Sequence, residues 1–147
     1  MILGFTGTRR GLTQPQRAAL PSILATLPER VLYGGAVGAD EEFHAFIMDV
    51  ILDPHSTYPA GRVEIEVYPA IGRRWNDPHD WVVVHKALPP LERNRIIAER
   101  CDHLLACPAE PTEQQRGGTW STVRYARKAG KPVTVINPDG SVVEKRR

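Results

Sequence analysis

The sequence predicts an α/β fold: a single doubly wound domain with a mainly parallel five-stranded sheet flanked by helices. Three observations carry that expectation. Short apolar runs alternate with stretches at helical spacing along the chain. Several of the run ends are glycine-rich or polar. The length of 147 residues suits one domain with a sizeable core.

The elements follow in order. Ile2 to Phe5 is the first strand, ended by Thr6-Gly7-Thr8-Arg9. Thr13 with Gln16 three residues later is a capping-box signature. Leu20, Ile23, Leu24 and Leu27 continue that helix, which Pro21 is expected to kink or split. Val31 to Tyr33 is the second strand and enters Gly34-Gly35-Ala36-Val37-Gly38-Ala39-Asp40. The next helix carries Phe43, Phe46, Ile47 and Val50 on one stripe and ends by Pro54. Val63, Ile65 and Val67 alternate with Glu64 and Glu66, so the third strand has one wet face and is expected at a sheet edge.

Residues 70–89 have no clear period and read as a long functional loop. A third helix runs from Pro90 to Arg100, with Leu91, Asn94, Ile97, Ala98 and Cys101 as its core stripe. His103 to Cys107 is the fourth strand. A polar loop, 108–116, leads to Gly117-Gly118 and a helix ending at Gly130. Val133 to Ile136 is the fifth strand. The domain is expected to span 1–140, with 141–147 a basic, solvated C-terminal tail.

Composition excludes several classes. Lysine plus arginine is 19 and aspartate plus glutamate 17, a net charge of +2. That balance disfavours a nucleic-acid coat or a membrane surface. No apolar stretch is long enough to span a bilayer, and no leader is read at the start of the chain. Two cysteines, Cys101 and Cys107, make no disulfide framework, so a cytoplasmic, reducing compartment is expected. Those cysteines and the five histidines lack zinc spacing, so no metal is expected, nor any cofactor.

The glycine-rich segments point to an anion. Backbone N–H groups after a strand and before a helix approach a phosphate closely, and the helix N-terminus adds partial positive charge. Gly34 to Asp40 and Arg116 to Thr122 both have that context, and Thr6 to Arg9 adds a third strand end. Neither GxxxxGK(S/T) nor GxGxxG is present, which disfavours classical ATPase and dehydrogenase readings. Arg93 and Asn94, near the start of the third helix, would point into the cleft and hold phosphate or ribose. Asp40 suits a ribose hydroxyl; His44, four residues on, suits a structural role. Trp120 is a candidate to stack on a base, and Trp75, with Arg73 and Arg74, to belong to a lid, against the commoner reading of a tryptophan as core.

These residues resemble the SLOG superfamily, a Rossmann-like group that includes the LOG and DprA-like proteins, and within it the YspA/cpYpsA-related branch. The resemblance rests on Gly4 to Arg9, the GGAVGAD stretch, Glu92-Arg93-Asn94, and Gly117-Gly118-Thr119-Trp120, in that order over most of the chain. It implies a nucleotide or nucleotide-derived ligand across the strand ends, and a homodimer. LOG enzymes hydrolyse the N-glycosidic bond of nucleoside 5′-monophosphates, and Arg93 stands where their catalytic arginine stands. Val123 and Arg124 occupy the positions of that family's two motif glutamates. A LOG-like reaction would therefore draw its carboxylate from Asp40 or, second, Glu92.

Three functions follow as expectations. The first is a nucleotide binder, acting as a sensor or housekeeping protein. It uses Gly7, Thr8, Arg9, Gly35, Gly38, Asp40, Arg93, Asn94, Gly117, Gly118, Thr119 and Trp120. The second is a hydrolase or transferase at a nucleotide N-glycosidic bond, with Arg93, Asp40 and Glu92 as its catalytic set. The third is a DprA-like single-stranded DNA binder, which the near-neutral charge disfavours.

Overall fold

A central strand buried on both faces needs apolar side chains in both directions, and the strand residues of this chain supply them. In the structure, a computed structural model that describes residues 1–25, 28–55, 63–72 and 81–145, they form one sheet. Its strands are β1 (Ile2–Gly7), β2 (Arg30–Tyr33), β3 (Glu64–Val67), β4 (Val82–Val84), β5 (His103–Cys107), β6 (Val133–Ile136) and β7 (Val142–Lys145). The helices are α1 (Gln14–Ile23), α2 (Ala39–Leu52), α3 (Pro90–Arg100) and α4 (Gly118–Lys128). The strand order is β4-β3-β2-β1-β5-β6-β7, with only β7 antiparallel.

The alternation along each strand divides the core into two layers. Phe5, Tyr33 and Leu105 join Leu20 of α1 and Phe43 and Ile47 of α2 in one cluster. Leu32, Leu104 and Ala106 join Ile97 of α3 and Trp120 and Val123 of α4 in the other. Phe5 and Phe43 stack with ring centroids 4.0 Å apart. Each such large side chain, once buried, contributes roughly 1.5–3 kcal/mol.

The capping box of α1 forms as the sequence predicts: Gln16 N donates to Thr13 Oγ1 at 3.2 Å and Thr13 N to Gln16 Oε1 at 2.9 Å. Gln16 is fully buried, and its Nε2 donates to the carbonyls of Pro108 and Ile136. Pro21 is accommodated inside one continuous helix rather than splitting it.

Four expectations are corrected. The sheet has seven strands, not five. β3 is not an edge, because β4 pairs outside it; its wet glutamates are explained by Arg30, whose guanidinium meets Glu64 at 2.6 Å and Glu66 at 3.2 Å. Of the tail, residues 141–144 are exposed, yet residues 142–145 pair antiparallel with β6 after a turn at Asn137–Ser141. On α3 the buried stripe takes Arg93 in place of Leu91, which is 60% exposed. Leu27, the lid candidates Arg73, Arg74 and Trp75, and the last two residues of the tail lie outside the described residues. Among the described residues no helix is long and apolar enough to cross a membrane.

Candidate functional site

The strand order reverses between β1 and β5. Chain segments run outward from β1 to β4 on one side and from β5 to β7 on the other. Loops leaving such a reversal diverge and open a crevice at the carboxyl ends of the strands. A cleft of about 1340 Å³ lies among those ends. It brings together Gly7, Thr8 and Arg9 after β1, Gly34 after β2, Asp40 of α2, Arg93 and Asn94 of α3, and Gly117 to Trp120 at the start of α4.

Arg93 is 6% exposed, an unusual state for an arginine. Three acceptors make it tolerable. Nε donates to Asn94 Oδ1 at 2.8 Å; Nη1 donates to the carbonyls of Gly34 at 3.0 Å and Tyr68 at 3.1 Å. The guanidinium thus ties the ends of β2 and β3 to α3, and it orients Asn94. A methyl on Gly118 would lie 3.5 Å from Asn94 Nδ2, so the carboxamide sits at the N-terminus of α4.

Asp40 is 6% exposed and lines the same cleft. Oδ2 accepts from Ala36 N at 3.0 Å. Oδ1 is buried and has no hydrogen-bond partner among the described residues. Burial pushes the carboxyl up from 3.8 to about 6, while the Ala36 amide and the Arg93 charge oppose the rise.

The helix N-termini around the cleft are not equivalent. The first turn of α2 holds Asp40, Glu41 and Glu42, and the loop's Ala36 amide is taken by Asp40 itself. An incoming anion meets carboxylates there. The first turn of α4 has no acidic residue and no side-chain cap, so its N–H groups are left for a ligand. Of the two glycine-marked turns, only the one before α4 opens a helix with no acid in its first turn. Gly35 and Gly38 do not line the cleft. Gly38 instead lets the start of α2 approach the loop after β1: a side chain there would strike the Arg9 backbone.

Other sequence-derived candidates are placed differently. Glu92 is exposed and off the cleft, because successive helix residues diverge by about 100° and Arg93 takes the inward direction. Trp120 is 2% exposed, with the Lys145 ammonium 5.4 Å from its ring centre, so it forms a wall of the core and offers no open stacking face. Its Nε1 is also buried without a partner among the described residues. His44 bonds the Tyr33 hydroxyl, in keeping with a structural role. Burial pushes Cys101 up to about 11 and Cys107 up to about 12, which excludes a ready thiolate at either.

The 109–116 loop supplies groups that sequence reasoning passed over. Glu110 and Glu113 line the cleft. Arg124 donates to the carbonyls of Gln114 at 2.7 Å and Gln115 at 3.0 Å, and both Arg124 and Arg127 approach Glu113. Arg124 thus clamps the loop onto α4. The acidic and amide-rich composition of 110–115 was the available signal. Among the described residues, no three His, Cys, Asp or Glu side chains gather as a metal site. No family model, no curated protein and no solved structure matches the chain.

Proposed function

We propose that this chain is a doubly wound, Rossmann-like domain of SLOG type whose cleft binds a nucleotide or nucleotide-derived ligand. The observation that carries the reading is the N-terminus of α4: open amides, no acid in the first turn, and a place in the cleft at the strand-order reversal. Such a terminus favours a phosphate, with the helix dipole contributing roughly 0.3–1 kcal/mol. Arg93 and Asn94 brace the floor beneath the ligand. A sensor or housekeeping binder, and a homodimer, is the role that follows from the resemblance; the cytoplasm is the compartment that the cysteine usage favours.

One observation favours a second reading. Cleavage of an N-glycosidic bond passes through an oxocarbenium-like state that a nearby carboxylate stabilises. Asp40 is a cleft carboxylate with an unused oxygen. It can serve a LOG-like hydrolase or transferase in place of the motif glutamates. Glu92, exposed and off the cleft, cannot.

Titration calorimetry with a panel of nucleoside 5′-monophosphates, followed by chromatography for free base, separates the two. Saturable heat without base release is the expected result. Base release would replace the binder with the hydrolase. No heat with any member of the panel would overturn both.

A further inference from the structure

The two buried polar atoms without partners, Asp40 Oδ1 and Trp120 Nε1, belong to residues lining one cleft. One is an acceptor and the other a donor. Leaving such atoms unpaired is costly, and when they line a cleft the missing partner can be a ligand group.

Asp40 stands at one end of a continuous polar row. A methyl on Gly34 would sit 3.2 Å from Asp40 Oδ2 and 2.8 Å from the Arg93 guanidinium carbon. Arg93 bonds Asn94, and Asn94 reaches the Gly118 position. The row therefore has a sense. Its α4 end presents donors, the backbone N–H groups of a first turn without acid or side-chain cap. Its α2 end presents an acceptor that carries negative charge when ionised. Gly34 has no side chain with which to cover that carboxylate.

From this polarity we infer that Asp40 is a specificity-determining residue that accepts a hydrogen bond from a sugar hydroxyl of a ligand whose phosphate rests on α4. The inference rests on the nucleotide reading above and deepens it. A phosphate at the α2 end would meet the Asp40 carboxylate, with Glu41 and Glu42 adding negative charge behind it from the same helical turn, and be repelled. A hydroxyl suits it, because a carboxylate oxygen can only accept. A deoxy ligand leaves Oδ1 unpaired inside a filled cleft, and a site built to bond a hydroxyl rejects the analogue lacking it.

The test compares three ligands on the same protein by calorimetry: adenosine 5′-monophosphate, its 2′-deoxy analogue and its 3′-deoxy analogue. If the base preference lies elsewhere, the set is built on the tightest member of the panel above. At least one deoxy analogue is expected to bind about tenfold or more weakly than the parent. Asp40→Ala should bring the three affinities within about twofold of one another, and Asp40→Asn, which keeps the shape, should shrink the gap without emptying the site. Parent and both analogues binding equally to the unaltered protein would overturn the inference and leave the nucleotide reading standing. A gap undiminished in folded Asp40→Ala and Asp40→Asn would assign the discrimination to another residue and overturn it as well. Binding by no nucleotide would remove both.

Discussion

Arg93 and Asp40 converge on Gly34: the guanidinium bonds its carbonyl at 3.0 Å, and the carboxylate lies 3.2 Å from where its methyl would be. A cation from α3 and an anion from α2 thus share one glycine at the end of β2. Neither is placed by its own helix alone. The cation makes the buried anion less costly, and the glycine lets both approach.

The first consequence concerns pH. The folded protein holds Asp40 near 6 rather than 3.8, so between those values the native state keeps a proton that the unfolded chain has released. Asp40 costs nothing below about 3.8, destabilises progressively as pH rises, and exerts its full cost above about 6. The rise from 3.8 to about 6 corresponds to a ceiling of roughly 3 kcal/mol. Asp40→Asn is therefore expected to be more stable than the parent at pH 7, with the difference shrinking toward pH 4. Urea midpoints at four pH values measure it. A difference that stays constant across that range would show that Asp40 titrates normally.

The second consequence concerns two glycines. A methyl on Gly34 overlaps Nη1 of Arg93 and must displace the guanidinium from two carbonyls and from Asn94. A methyl on Gly118 meets only Asn94 Nδ2, at 3.5 Å. Gly34→Ala should lose about 1–3 kcal/mol of stability and most nucleotide affinity. Gly118→Ala should hold or gain about 0.5 kcal/mol, because alanine suits a helix better. Thermal melts and calorimetry on both variants check the contrast. Equal behaviour of the two would mean that Gly34 does not set the position of Arg93.

The third consequence sets stability against binding. Thr119 lies in the first turn of α4, which has no acid. Thr119→Asp places a carboxylate where the amides point. It should raise stability by about 0.3–1 kcal/mol through the helix dipole. On the proposed placement of the phosphate at these amides, it should also weaken nucleotide binding tenfold or more. Opposite movements of melting temperature and affinity are the signature sought. Unchanged affinity would move the phosphate to another strand end.

Much of this architecture is legible in the residues. Thr13 and Gln16 announce the start of α1, and Pro90 to Arg100, His103 to Cys107 and Val133 to Ile136 are the bounds of α3, β5 and β6. These segments carry a period because one face is buried, or because both are. The outer strands carry none. β4 is three residues long, and β7 is exposed along most of its length, so neither has the apolar pattern that burial imposes. Their pairing is decided by backbone groups that only the neighbouring strand can satisfy.

By itself, then, the sequence determined the alternating α/β plan, the glycine-rich strand ends, and the candidacy of Asp40, Arg93, Asn94 and Gly117–Trp120. Only the tertiary structure decided which of these act together. Arg93 is buried because carbonyls 59 and 25 residues away along the chain converge on it. Those same carbonyls could not satisfy the carboxylate of Glu92 beside it, which needs donors, and Glu92 is exposed. The two glycine-marked turns differ in the acids that open α2, Asp40 to Glu42, and the sequence already shows those. What the fold adds is that Asp40 and the start of α4 line one cleft, because the strand order reverses between β1 and β5.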